Sequence, residues 1–128
     1  MIAIAKKTLV GIVGDLYGIR VNILLDTLSI PYNFIDNDTA DLLIAKGIKP
    51  LETEARVKLV NGDYIYINHY FIVNLSLVKD FKIKIHLHVL KNIPCNIIIG
   101  REDMLKYKLT EYITDDVANI ECLNLLDG

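Results

Sequence analysis

The chain of 128 residues has no tryptophan, no glutamine, two cysteines and three prolines. Cys95 and Cys122 show neither the paired spacing of a metal site nor a disulfide framework, so they read as small core residues in a reducing compartment. The missing glutamine would suit a thermophilic source, but ten asparagines argue against that inference. Charge of one sign is scarce too: 14 basic and 16 acidic residues are spread along the chain, for a net charge of −2. That balance leaves no electrostatic footprint for nucleic acid. No run approaches the ~18 consecutive apolar residues of a spanning helix, which speaks against a membrane partner. At the N-terminus Lys6 and Lys7 follow Ile2 to Ala5, the reverse of a signal peptide, and the expected location is the cytoplasm. There is no internal repeat, low-complexity tract or linker, so residues 1–128 are expected to form one domain.

Apolar side chains are what the chain has in excess. They make up 52% of it, and the mean hydropathy of +0.35 is high for a soluble monomer of this size. With no spanning helix to absorb them, a large subunit interface is the simplest place for the surplus, because obligate interfaces resemble a core cut in half. The expected partner is a second copy of the chain.

Strand periodicity dominates. Thr8 to Val13 reads as a strand, Gly14-Asp15 as a turn, and Tyr17 to Leu25 as the return arm, with Ile19, Val21, Ile23 and Leu25 on one face. Phe34-Ile35 is a short extended piece. Asp38 reads as the N-cap of a helix through Ala40, Leu42, Leu43 and Ile44 that stops at Gly47. Ala55, Val57 and Leu59 alternate with charged residues up to Asn61-Gly62, the strongest two-residue hairpin signal in the chain. The long return arm keeps period two from Ile65 to Leu77, and Phe81 to Val89 alternates again. Ile97 to Gly100 is an apolar strand ending in glycine, followed by a short helix from Arg101 to Tyr107. Thr110 to Ile113 suits a further strand, and Thr114 to Gly128 fits either a helix or an extended tail. The expected class is mainly β: a closed, mostly antiparallel barrel with one or two short helices.

Asp26 carries the most chemistry. It ends an apolar strand, where an ionised carboxylate is costly unless hydrogen-bonded. It is followed by Thr27, Leu28 and Ser29. The bland reading is an aspartate capping a turn after a strand. The wider pattern resembles the retroviral-type (retropepsin-like) aspartic protease family, from about residue 8 to residue 109. The apolar strand leading into Asp26-Thr27 is similar to the first signature of that family. The segment Leu59, Val60, Asn61, Gly62, Asp63 and Tyr64 resembles its flap. Ile98-Ile99-Gly100-Arg101, within an isoleucine triplet, is similar to its second signature.

The resemblance implies a closed acid-protease barrel acting as a homodimer, hydrolysing peptide bonds in extended polypeptides. Asp26 of each subunit would share one proton and activate water, because two carboxylates ~3 Å apart cannot both ionise. Thr27 would cross-link the two active-site loops and Ser29 would donate to Asp26. The Asn61-Gly62 hairpin would close over substrate, with no metal or organic cofactor.

The chain departs from the family pattern in two places. Leu28 stands where the family has glycine, which raises a second reading, a protease-like dimer kept for peptide binding or dimerisation. The family's counterpart of Arg101 pairs with acids just after the aspartate triplet, but Ile30, Pro31 and Tyr32 stand there, leaving Asp36 or Asp103 as partners. His86 and His88 share a strand face with Lys82 and Lys84, and with no third ligand nearby they do not suggest a zinc site. His69, on the apolar side of its strand, is expected in the core or an interface.

Overall fold

A computed structural model describes residues 9–26, 32–58, 62–77 and 81–109. The expectations for Thr8, for Thr27, Leu28 and Ser29, for Leu59, Val60 and Asn61, for Cys122, and for residues 110–128 lie outside the described residues. Seven strands form one sheet: β1 (Leu9–Leu16), β2 (Ile19–Asp26), β3 (Asn33–Ile35), β4 (Leu51–Lys58), β5 (Tyr64–Ser76), β6 (Lys82–Val89) and β7 (Ile97–Ile99). Two short helices accompany them, α1 (Asn37–Ala45) and α2 (Arg101–Lys106). Among the described residues no helix is long and apolar enough to cross a membrane.

The sheet runs β1-β2-β7-β3-β6-β5-β4, and β1 also meets β5 at the pair Asp15 with Ser76. Six strands thus form a ring, with β4 outside it on the far edge of β5. Ring geometry is expected from strands whose inner faces are all apolar, because curling removes edges that would otherwise face water. Val21, Ile23 and Leu25 of β2, Ile97 and Ile99 of β7, Ile83, Ile85 and Leu87 of β6, and Phe71, Val73 and Leu75 of β5 fill the interior, joined by Met104 of α2. Each such side chain contributes roughly 1.5–3 kcal/mol on burial. Two pairings inside the ring are parallel, β2 with β7 and β3 with β6. The other five pairings are antiparallel, so the sheet is mostly antiparallel, as expected.

The first hairpin turns later than the residue pattern suggests. Leu16 pairs with Ile19, so Tyr17-Gly18 forms the two-residue connection, both with positive φ (51° and 88°) as a hairpin of this length demands. Asp15 Oδ2 accepts from the Gly18 amide at 3.0 Å, and the Tyr17 hydroxyl accepts from the Asn74 amide at 3.0 Å. Gly14, expected in the turn, sits inside β1 opposite Val21. Its missing side chain serves ring closure: a Cβ there would lie 2.8 Å from the Ser76 carbonyl oxygen and 2.7 Å from Ile23 Cδ1.

Helix α1 also starts elsewhere. Asp36, not Asp38, is its N-cap and accepts from the Thr39 amide at 2.8 Å. Asp38 lies in the first turn, where it complements the helix dipole. Ala40 and Leu43 reach the core, whereas Leu42 and Ile44 of the expected apolar stripe are exposed. A helix lying on a ring buries one narrow face, here Thr39, Ala40 and Leu43, the last of them four and three positions from the others.

Candidate active site

β2 alternates in side-chain direction, so Val21, Ile23 and Leu25 point into the ring while Asn22, Leu24 and Asp26 share its outer face. Asp26 is the last residue of the strand, partly buried, and opposite Leu9 of β1. On the other side, Leu24 and Leu25 run parallel to Ile98 and Ile99. The two stretches singled out in the sequence therefore lie side by side, and Gly100 follows next to the strand end that carries Asp26.

The registers align one transverse row on the outer face. Leu24 pairs with Ile98, Ile98 with Phe34, Phe34 with His88, and His88 with Tyr70. Leu24, Ile98 and Phe34 form a second apolar cluster with Cys95 and with Ile67 of β5, backed by Ala55 and Val57 of β4. The β4–β5 hairpin thus covers an apolar platform on the face that Asp26 shares. Beyond it, Gly62, Asp63 and Tyr64 are exposed, and the Arg56 guanidinium lies 4.5 Å from the Tyr64 ring centroid. A register shift between Glu52 and Ala55 bends β4 opposite Asn68 and His69. His69 is exposed, so it is not in the core; the other expected place, an interface, is compatible with that exposure.

Ile99 points into the core, Ile98 onto the platform, and Gly100 is the N-cap of α2. Having no side chain to cap with, Gly100 is held from outside. Its amide donates to Asn33 Oδ1 at 2.8 Å, while Asn33 Nδ2 donates to Asp103 Oδ2 at 2.7 Å and to the His86 carbonyl at 3.2 Å. Asn33 is 7% exposed, and a buried amide this fully satisfied acts as a structural hub. Arg101 is exposed on the first turn of α2. The partners expected for it are engaged elsewhere, Asp36 with α1 and Asp103 with Asn33.

A second hub is Asn96. Its Oδ1 accepts from the Asn22 amide at 2.8 Å, its Nδ2 donates to Thr39 Oγ1 at 3.1 Å, and its carbonyl accepts from the Asp36 amide at 2.9 Å. It thereby ties the start of β7 to β2 and α1. Reasoning from the sequence does not identify either asparagine as an anchor. The signal available is an amide residue at the mouth of an otherwise apolar strand, where nothing but a specific partner compensates for burial.

His88 lies against Tyr32 edge-on (4.7 Å between centroids) and stacks on Tyr70 (5.4 Å). Its Nδ1 is buried with no hydrogen-bond partner among the described residues. Burial holds its pKa below the usual histidine value; the Asn33 backbone partly opposes this and the charge of His86 adds to it. The unfolded chain therefore takes up the proton first as pH falls. The stabilising contribution of neutral His88 is complete above about 6.5, the unfolded value, and is lost as pH falls from there through the lower folded pKa. Thermal unfolding between about pH 7.5 and pH 5 should show stability declining on the acid side. His88→Phe, which cannot titrate, should flatten that decline; an unchanged slope would assign the decline to other groups.

Among the described residues no group of three or more His, Cys, Asp or Glu side chains could hold a metal ion. Cys95 is buried and donates its thiol to the Ile97 carbonyl at 3.2 Å.

No protein-family model matches the chain, and no curated protein matches it. Solved structures do. The retroviral protease-like domain of Ddi1 from Leishmania major aligns with a TM-score of 0.58 over 79% of this chain and 78% of that one, at 13% identity. At this identity the likeness speaks for the fold: the chain has a retroviral protease-like architecture.

Proposed function

We propose that the chain is an aspartic endopeptidase that works as a homodimer on extended polypeptides. The observation that carries this reading is the placement of Asp26. It ends β2 beside the Gly100 end of β7, on the face that the β4–β5 hairpin covers. One chain provides one such aspartate, and a two-fold partner would bring the second to within proton-sharing distance. One carboxyl then gives a proton to the peptide carbonyl while the other carboxylate takes one from the attacking water. An extended substrate would lie as an added strand beneath the hairpin. Leu24, Phe34 and Ile98 are buried under the hairpin and make the surroundings of Asp26 apolar, which favours apolar side chains next to the cleaved bond.

The test is cleavage of a peptide library between about pH 4 and pH 7, the window of a shared-proton dyad. Cleavage with apolar residues flanking the cut supports the proposal; no cleavage at any pH in that window sinks it.

A second reading rests on Leu28, a side chain where the resembled family has glycine. Two isobutyl groups brought near a two-fold axis overpack it, at ~1–3 kcal/mol even when accommodated. On that reading the dimer binds peptide and does not cut it. Leu28→Gly separates the two. If it creates cleavage that the native chain lacks, the native protein is a binding module. If the native chain already cleaves, Leu28 is tolerated within a working dyad.

A further inference from the structure

Strand β6 is longer than its neighbour on one side. β3 covers it only from Leu87 to Val89, so the edge from Lys82 to His86 runs past the start of β3. Among the described residues no strand pairs with this edge; its backbone groups need partners, and helix α2 and β3 supply them with side chains. The Tyr107 hydroxyl donates to the Lys84 carbonyl at 2.5 Å, and Asn33 Nδ2 donates to the His86 carbonyl at 3.2 Å. These two clamps hold α2 beside β6 without closing the space between them. A cleft of about 390 Å³ remains, with Tyr32 and His88 between it and the apolar platform.

Its charges are uneven. Lys84 and His86 come from β6 and Lys106 from α2. Asp103 is the single carboxylate of the lining among the described residues, and one of its oxygens is already taken by Asn33 at 2.7 Å. In a strand the amide of a residue projects to the same side as its carbonyl, so the N–H groups of Lys84 and His86 leave the same clamped edge. Basic side chains and backbone donors thus line one space, with the Lys106 ammonium 5.2 Å from the Tyr107 ring centroid.

We propose that this cleft between β6 and α2 binds one anionic group, a carboxylate or a phosphate, between Lys84, His86 and Lys106. The site does not depend on catalysis at Asp26. Two sources carry that chemistry, an acidic side chain of a bound polypeptide and a free small anion. The peptide source has a geometric basis. Asp26 on β2 and His86 on β6 are separated by β7 and β3, three interstrand steps of ~4.8 Å, or ~14 Å. An extended peptide at ~3.3 Å per residue spans that in about four residues. A glutamate about four residues from the group held at Asp26 would reach the cleft.

The experiment follows the imidazole resonances of His86 and His88 in the full-length, isotope-labelled chain. The probes are inorganic phosphate and a pair of capped extended peptides, one with a single glutamate and one with glutamine in its place. Saturable shifts of the His86 resonances with phosphate or the glutamate peptide are expected. The Lys84→Ala/Lys106→Ala variant, altered at two exposed positions, should weaken that binding by ~10-fold or more. A glutamate peptide that binds ~10-fold tighter than its glutamine twin identifies the polypeptide source. Phosphate binding with no difference between the peptides identifies a free anion. Resonances unmoved by all three probes, or equal affinity in the double variant with an unchanged melting temperature, overturn the site. Asp26→Asn should leave the phosphate titration as it is in the native chain, so failure of the protease reading and failure of the anion site remain distinguishable.

Discussion

Asp26→Asn is expected to lower peptide hydrolysis by about 10³-fold or more, the scale on which a general acid–base partner acts. Asparagine has nearly the same shape, so the strand end and its neighbours are retained, but it neither takes a proton from water nor shares one with a facing carboxylate. The dimeric form of the proposal makes a sharper statement. If native and Asp26→Asn subunits exchange at random, only dimers with two native aspartates are active. Activity then follows the square of the native fraction, and an equal mixture retains about a quarter of it. A linear dependence, with half the activity left, would mean that each chain works alone. Full activity in the pure variant would remove Asp26 from the chemistry altogether.

Asn33→Ala should be the most damaging single change at a polar residue of the described chain. It deletes three hydrogen bonds and leaves the buried Gly100 amide without its acceptor. A buried unsatisfied group costs ~1–3 kcal/mol, and the loss of the other two bonds adds to it. A total near ~3 kcal/mol corresponds to a fall in melting temperature of roughly 10 °C for a domain of this size. Asn33→Asp distinguishes the hub from simple packing. It keeps the acceptor for Gly100 but sets a second carboxylate against Asp103, so it should be destabilised at neutral pH and recover in part as acid removes the repulsion. Thermal melts of both variants at pH 7 and about pH 4.5 provide the check. If the aspartate variant behaves like the native chain at both, the bond to Asp103 contributes little.

The effect of Asn33 is expected to reach the candidate site as well as the fold. Gly100 is the last link between β7 and α2, and β7 is the strand against which the Asp26 end of β2 is registered. Loosening the Gly100 anchor frees that register. A variant that remains folded at 20 °C but has lost its activity would mark Asn33 as a positioning residue for Asp26.

Much of this molecule is legible in the order of its residues. Period-two alternation marks the strands, because a strand with one face in a core must repeat every second residue. The Asp26 strand and the Asn61-Gly62 hairpin arms emerge that way, the isoleucine triplet as an unbroken apolar run ended by glycine, and β4 does pair with β5 on either side of the Asn61-Gly62 connection. Local chemistry misleads where a competing signal is stronger. Gly14 resembles a turn residue because glycine usually marks one, yet it is kept small by the close approach of Ser76 from β5, far away in sequence. Asp38 resembles the cap, but Asp36 holds the position from which a side chain reaches the Thr39 amide.

Sequence by itself determined which residues share a face, where the apolar strands run, and that an aspartate ends one of them. Tertiary structure alone decided which strands are neighbours, since alternation fixes the direction of a side chain but not the partner across the ladder. The parallel pairing of β2 with β7 sets the isoleucine triplet beside Asp26, and it has no local cause in either segment. The same holds for Asn33 and Asn96, whose partners come from distant elements, and for the cleft beside β6. Among the described residues that cleft lies where β6 runs past the start of β3, a mismatch visible only once the two are aligned.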